Sequence, residues 1–218
     1  MRKLYYNKVM KIICARHTET EGNVRGYYNG VSESSYTQKG LKQKAALEDE
    51  LTRLGKGESV ARVYASPFLR AARIGETVAD RLSVPFETAC ALREFHFGIF
   101  EGMTYREAEA KYPREWQAWM ADYDGYAIPG GDSFHDYHRR VADFIEEIKT
   151  IHADDTIVMV AHGGTVLSVL VTLLGLPVEA RWHFKIELGS IAIVDCPEGY
   201  GILNTLYVPA CPDNILTD

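Results

Sequence analysis

Ile12-Ile13-Cys14-Ala15-Arg16-His17-Thr18-Glu19-Thr20 is the stretch that decides how the chain is read. Its first half belongs to an apolar run, roughly Val9 to Ala15. That run is short, β-branched and without polar alternation, which reads as a strand buried on both faces. Its second half is a dense polar cluster, placed where the strand must stop. In an open α/β sheet, the carboxyl ends of the strands form the crevice where ligands bind. An Arg and a His side by side at that point suit chemistry on an anion. Taken alone, the pair is equally compatible with an ordinary polar strand exit, because dipeptides match by chance.

Length and composition narrow the classes. The 218 residues are 46% apolar and 25% charged, an ordinary globular balance. Such a length suits one α/β domain with a small elaboration, and it can bury a large core. The net charge of -6 argues against nucleic acid or an anionic membrane as the main partner. A small anionic substrate in a local basic pocket stays open. Cys14, Cys90, Cys196 and Cys211 show neither CxxC pairing nor zinc-like spacing. Cys14, inside the apolar run, reads as a buried small hydrophobe. A reduced, cytoplasmic setting is the expectation. Met1 to Lys8 is short and basic, with no apolar signal core behind it. The longest apolar candidate for a membrane span, Val166 to Leu176, is broken by Ser168 and Thr172 and is too short.

Downstream of the opening strand, Glu21 to Tyr36 is rich in Gly, Asn, Ser and Tyr and has no hydrophobic period. It reads as a loop of about 15 residues, and loops of that length in compact domains usually carry function. Thr37 caps a helix whose apolar stripe is Ala45, Ala46, Leu47, Leu51 and Leu54, closed by Gly55 and Gly57. Ala61 to Ala65 is a second strand. Ser66 as cap and Pro67 at the first helical position then open a helix from Phe68 to Leu82. Arg70, in its first turn, can point back to the strand exit, whereas Arg73 reads as solvated. Val84 to Glu87 is an edge-like strand. Ala91 to Gly102 is irregular and holds Glu94 between aromatics that could dry it, which would make a usable general acid.

The second half repeats the pattern. Thr104 to Gly131 carries Tyr105, Tyr112, Trp116, Trp119, Tyr123 and Tyr126, and reads as short helices forming a lid or a small satellite core. Pro129-Gly130-Gly131-Asp132-Ser133 is a turn. Ser133 to Ile151 is a helix with Tyr137, Val141, Phe144, Ile145 and Ile148 on one face. Thr156 to Ala161 is continuous and apolar, as a central parallel strand should be. It runs into His162-Gly163-Gly164 and a helix from Thr165 to Leu174. Glycines there let a ligand approach the backbone, and the helix start is a natural anion site. Ser190 to Asp195 and Ile202 to Val208 form a closing antiparallel hairpin, and the last ten residues read as a loose tail. The expected architecture is a single domain spanning 1–218. It is a three-layer α/β/α sandwich on a mostly parallel sheet, with a helical lid-like insertion over about 98–131.

Three strand exits therefore carry Arg16-His17, Ser66-Pro67 with Arg70, and His162-Gly163. Parallel strands place all three on one edge of the sheet, with Glu94 as a further candidate. Arginine forks match phosphate oxygens, and a histidine can attack phosphorus. Two cations within about 4 Å of a phosphate are worth several kcal/mol each at a partly buried site. They also depress the pKa of a neighbouring His and keep a ring nitrogen free. A competing metal site would use His17, Glu94, His96 and His162. It lacks any HExxH-type spacing, and the arginines would repel the ion. A phospho-ligand binding module without turnover is a third reading.

The motifs together resemble the histidine phosphatase superfamily, in its phosphoglycerate mutase-like branch. They are Arg16-His17-Thr18-Glu19-Thr20, Ser66-Pro67-Phe68-Leu69-Arg70-Ala71, Leu92-Arg93-Glu94-Phe95-His96-Phe97-Gly98-Ile99-Phe100-Glu101-Gly102 and Ala161-His162-Gly163-Gly164. The resemblance runs from about Met10 to Val208. It implies a metal-free, cofactor-free, two-step phosphatase acting on a small phosphorylated metabolite. His17 would become phosphohistidine, and Glu94 would act as acid and then base. Arg16, Arg70 and His162 would hold the phosphoryl oxygens. Asn23 and the Gly163 amide would complete the pocket, with Asn29 and Gly30 lining it. A homodimer is compatible with the resemblance. The segment around Glu94 looks like the phosphatase members, similar to α-ribazole phosphatases and broad-specificity phosphatases. A phosphoglycerate mutase-type phosphotransferase is the runner-up.

Three residues depart from the family pattern. Thr18 stands where Gly is usual, so its φ is expected to be negative, since a β-branched residue at positive φ is strained. Tyr27 replaces an Arg found in many members, which removes one substrate cation. Asp132 replaces the usual Glu of the Pro-Gly-Gly turn.

Overall fold

The structure, a computed structural model, describes residues 9–211. The readings for Met1 to Lys8 and for the tail beyond 211 lie outside the described residues. Six strands form one sheet: β1 (Met10–Arg16), β2 (Val60–Ala65), β3 (Phe86–Thr88), β4 (Thr156–Ala161), β5 (Ile191–Cys196) and β6 (Ile202–Tyr207). Their spatial order is β3-β2-β4-β1-β5-β6. The first four run parallel, and β5 and β6 close one side as an antiparallel pair.

The apolar runs are continuous because both faces of the sheet are covered. Ile13, Ala15, Val63, Ala65, Val158 and Val160 face one helical layer. That layer is α2 (Gln38–Lys56) and α3 (Leu69–Leu82), which contribute Leu47, Leu51, Ile74 and Val78. Ile12, Cys14, Tyr64, Ile157, Met159 and Ala161 face the other layer, α6 (Phe134–Ile151) and α7 (Gly163–Leu173). The period of two within each strand thus divides one core into two. Truncating a fully buried residue such as Ile74 to Ala costs about 2–5 kcal/mol.

The register sets the site. Arg16 pairs with Ala161 across β1 and β4, and Ala65 pairs with Val160 across β2 and β4. The three strand exits are therefore level on one edge. His17 N donates to the Ala161 carbonyl at 3.0 Å and Ser66 N to Val160 at 2.9 Å, carrying the ladder one residue past each strand.

Several local readings change. The segment from Glu21 to Tyr36 is not loop throughout: α1 (Glu21–Arg25) opens it. Asn23 and Thr20 form its capping box, and Gly26 ends it at φ 69°. Five residues are too few to show a hydrophobic period. Ser66 does not cap α3, which begins three residues later at Leu69, with Phe68 as its N-cap. The Ser66 hydroxyl is 2.7 Å from His162 Nε2 instead. The helix after β4 starts at Gly163, two residues before the expected Thr165. Thr37 does cap α2, accepting from Gly40 N at 2.9 Å.

The aromatic segment forms α4 (Tyr105–Lys111) and α5 (Pro113–Ala121). Its rings do not build a separate satellite. Trp119 is buried in the larger core with Phe95, Phe100, Phe134 and Tyr137, and Tyr28, Tyr112 and Trp116 pack against it. Trp119 stacks on Tyr123 at 4.9 Å between centroids.

Candidate active site

His17 leaves β1 into the middle of the level edge and is 3% exposed. Its Nδ1 lies 2.8 Å from the Thr18 carbonyl. Since a carbonyl can only accept, Nδ1 carries the proton and Nε2 keeps a free lone pair. Burial and the charges of Arg70 and Arg16 push the ring down to about 3, so it stays neutral near pH 7. His162, at the end of β4, packs edge-on to His17 with 5.2 Å between centroids. The same causes hold it well below its ordinary value. As this neutral ring, His162 is a hydrogen-bonding group rather than a cation.

Arg70 is 1% exposed. It reaches back across the edge, donating through Nη1 to Ser32 O at 2.8 Å and through Nη2 to Asn29 O at 3.2 Å and Gly30 O at 2.5 Å. Arg16 donates through Nη1 to Ile186 O at 2.7 Å. Its guanidinium lies against α7: a Cβ on Gly163 would sit 3.2 Å from Arg16 Cζ. Arg16 Nε, Arg70 Nε, Asn29 Nδ2 and His162 Nδ1 are buried and find no partner among the described residues. The unpaired Arg16 Nε, Arg70 Nε and Asn29 Nδ2 are buried donors, which are costly, and a phosphoryl group offers the acceptors they need.

Glu94 faces this cluster from the irregular segment. Its aromatic neighbours do not strip it of polar contacts. Oε1 accepts from Phe95 N at 2.9 Å and from the Tyr137 hydroxyl at 2.7 Å, and Oε2 accepts from Gly164 N at 3.1 Å. Tyr137 is also 2.9 Å from Thr165 Oγ1. Burial and the neighbouring Glu94 raise Tyr137 well above its ordinary value, so it remains a donor.

The loop residues divide. Asn23 spends its side-chain oxygen on Thr20, accepting from N at 3.0 Å and Oγ1 at 2.9 Å, which leaves its amide hydrogens as the group for a ligand. Asn29 and Gly30 contribute backbone carbonyls to Arg70. His96 of the metal reading accepts from Gly98 N at 2.9 Å and is spent on its own turn. Among the described residues, no group of three or more His, Cys, Asp and Glu side chains is arranged to hold a metal ion. Thr18 is not among the residues at positive φ, as expected. Its hydroxyl donates to Gly40 O at 2.9 Å, tying the strand exit to the first turn of α2. Asp132 accepts from His96 N at 3.0 Å.

Beside Glu94 opens a cleft of about 210 Å³, lined by Phe95, Phe97, Trp119, Tyr123, Phe134, Tyr137, Leu167, Arg181 and Trp182. Arg181 is the cation in its wall: its two terminal nitrogens are engaged, and its Nε is buried with no partner among the described residues. It is ion-paired to Asp124, donates to Val178 O at 3.0 Å, and lies 3.9 Å from the Phe134 ring centroid. Tyr123 and Trp182 stand at the rim, 39% and 64% exposed.

A model of the histidine phosphatase superfamily (branch 1) matches residues 12–208. The chain belongs to this family. It is 29% identical over 197 residues to the adenosylcobalamin/alpha-ribazole phosphatase of Salmonella typhimurium, covering 90% of this chain and 96% of that protein. It is 32% identical over 165 residues to the metal-independent phosphoserine phosphatase of Arabidopsis thaliana, covering 75% and 68%. The solved alpha-ribazole phosphatase of Shigella flexneri superposes with a TM-score of 0.82 at 28% identity, over 90% of this chain and 96% of that one.

The contacts of three residues of this histidine phosphatase escape a reading of the sequence: Ser66, which it places only at a strand exit, Tyr137 and Gly164. Tyr137 lies on the apolar stripe of α6 and looks like core. Gly164 looks like a second helix-start glycine, yet a Cβ there would sit 2.7 Å from Glu94 Oε1 and 3.0 Å from the Tyr137 hydroxyl. Gly164→Ala should therefore cut kcat about tenfold or more by moving Glu94. Its melting temperature should hold or rise, because Ala favours the helix by about 1 kcal/mol. Unchanged turnover with p-nitrophenyl phosphate would show that Glu94 does not depend on this contact.

Proposed function

We propose that this histidine phosphatase hydrolyses a small phosphomonoester with a flat, uncharged leaving group through a phosphohistidine on His17. The observation that carries the leaving-group assignment is the aromatic cleft beside Glu94, whose wall cation is neutralised by Asp124. A flat ring gains apolar burial and stacking there. A leaving group bearing a carboxylate, as in phosphoserine, would meet no unpaired cation among the residues lining that cleft.

The chemistry follows from the placement of groups. Arg16 and Arg70 take the phosphoryl oxygens, with His162, the Gly163 amide and Asn23 as further donors. His17 Nε2 attacks phosphorus as the ester P–O bond breaks, and Glu94 gives its proton to the departing oxygen. A water then attacks the phosphohistidine. Glu94 takes the proton of that water, the P–N bond breaks, and phosphate leaves with His17 neutral again. The protein does the work by positioning and charge stabilisation. We place the protein in a reducing compartment such as the cytoplasm, on the ground that Cys14, Cys90, Cys196 and Cys211 are all free thiols.

Among named compounds, α-ribazole 5′-phosphate joins a flat base to a phosphate and fits this cleft. The test is a substrate panel in EDTA: p-nitrophenyl phosphate, α-ribazole 5′-phosphate, phosphoserine and 3-phosphoglycerate. We expect kcat/KM for α-ribazole 5′-phosphate to exceed that for phosphoserine by about 100-fold or more. A preference for phosphoserine would overturn the leaving-group assignment. Loss of all activity in EDTA would favour a metal site, and transfer of label to a monophosphate acceptor would favour a phosphotransferase.

A further inference from the structure

The Glu101 carboxylate lies outside the reaction centre, yet it gathers more backbone donors than any role in its own turn would need. Oε1 accepts from Val31 N and Phe97 N, both at 3.0 Å. Oε2 accepts from Gly30 N at 3.2 Å, Ser32 N at 3.3 Å and Ser32 Oγ at 2.7 Å. The carbonyls of the same loop point the other way. Those of Asn29, Gly30 and Ser32 accept from the Arg70 guanidinium.

In a trans peptide the C=O and N–H point in opposite directions. The Asn29–Gly30 peptide thus presents its carbonyl to Arg70 and its N–H to Glu101, and the Gly30–Val31 peptide repeats the arrangement. Two consecutive peptide dipoles are strung in the same sense between a carboxylate and a guanidinium, and each charge aligns the dipoles the other uses. The loop is also pressed onto the segment that carries Glu94. A Cβ on Gly30 would sit 1.9 Å from the Phe95 carbonyl oxygen and 2.5 Å from Glu101 Oε1. The bond from Phe97 N completes the link, three residues beyond Glu94.

We propose that Glu101 is a positioning residue for phosphoryl transfer: through the 29–32 loop it sets the plane of the Arg70 fork and its spacing from Glu94. This rests on the reading of Arg70 as a phosphoryl clamp. Glu101 itself touches no substrate. A neutral amide at 101 would turn one acceptor into a donor facing N–H groups, so the loop would twist and carry the Arg70 fork with it.

The experiment measures vanadate binding by calorimetry, and kcat and KM for p-nitrophenyl phosphate. The proteins are wild type, Glu101→Gln, Arg70→Lys and the double variant. Glu101→Gln should weaken vanadate binding about tenfold and cut kcat about 10–100-fold, the scale of a small misplacement. In the Arg70→Lys background, where the fork is gone, the same change should cost less than about threefold, because the two residues act as one unit. Equal losses in both backgrounds would make Glu101 a general structural anchor and overturn the proposal, as would wild-type binding in Glu101→Gln. If Glu101→Gln does not fold, Ser32→Ala decides. It removes a single bond to Oε2 and should weaken vanadate binding about two- to threefold, and no change would overturn the proposal. The binding readout does not require turnover, so failure of the phosphohistidine step is told apart by retained activity in His17→Ala.

Discussion

His17→Ala should lose turnover by about 10³-fold or more, the scale seen when a covalent nucleophile is removed. Its affinity for inorganic phosphate should change far less, because Arg16 and Arg70 are anchored to the backbone carbonyls of Ile186, Asn29, Gly30 and Ser32 rather than to His17. Quenching the wild type during turnover should trap an acid-labile, base-stable phosphoryl group on His17, and mass spectrometry would locate it. The pH profile carries a second signature. A histidine held down to about 3 is already neutral at pH 5. Its nucleophilicity should therefore persist as pH falls through 6.5, where an unperturbed imidazole would be half lost. An acid limb near 6.5 that moves when position 17 is changed would contradict the burial and the paired arginines as the controlling environment. Undiminished activity in His17→Ala would remove the covalent mechanism altogether.

Glu94→Gln should show a loss that depends on the leaving group. An amide cannot deliver a proton, so esters of poorly acidic alcohols should slow by about 10²–10⁴-fold. p-Nitrophenol leaves without protonation, so its release should survive much better. The second step still needs a base for water, and Glu94 is the carboxylate placed for it. With p-nitrophenyl phosphate the variant should therefore show a burst of about one equivalent per site, followed by slow turnover as phosphoenzyme accumulates. A uniform loss across leaving groups, with no burst, would reassign the proton donor. Tyr137 would be the poorer candidate, since burial keeps its proton tightly held.

Much of the candidate site is legible in the sequence, for physical reasons. A parallel strand buried on both faces has no freedom in composition, so Ile12 to Ala15 and Ile157 to Ala161 stand out as apolar runs. The first polar residue after such a run must lie on the functional edge. Arg16, His17 and His162 follow such runs, Arg70 lies in the first turn of the next helix, and the structure brings all four to one edge. Sequence pattern fails where a residue serves two masters. Tyr137 satisfies the helical period of α6 and also donates to Glu94. Ser66 fits a capping pattern, yet its hydroxyl is placed on His162. Glu101 sits in a glycine-rich irregular segment, where no periodicity reports what a carboxylate faces. The short α1 helix was hidden for a related reason, since capping by Thr20 and Asn23 replaces a hydrophobic stripe.

The shared use of side chains between cleft and core has a consequence for how such a protein can diversify. Phe95, Trp119, Phe134 and Tyr137 line the cleft beside Glu94 and are also members of the larger core. Truncating an aromatic of that kind to Ala costs about 3–5 kcal/mol, a large part of the whole margin of a typical domain. New substrate preferences reached through those four positions would arrive with partial unfolding. At the rim the penalty is smaller: Trp182 is 64% exposed, and Tyr123, though stacked on Trp119, is 39% exposed. Adaptation of this scaffold should therefore enter from the rim inward, with the inner wall inherited nearly unchanged from one specificity to the next.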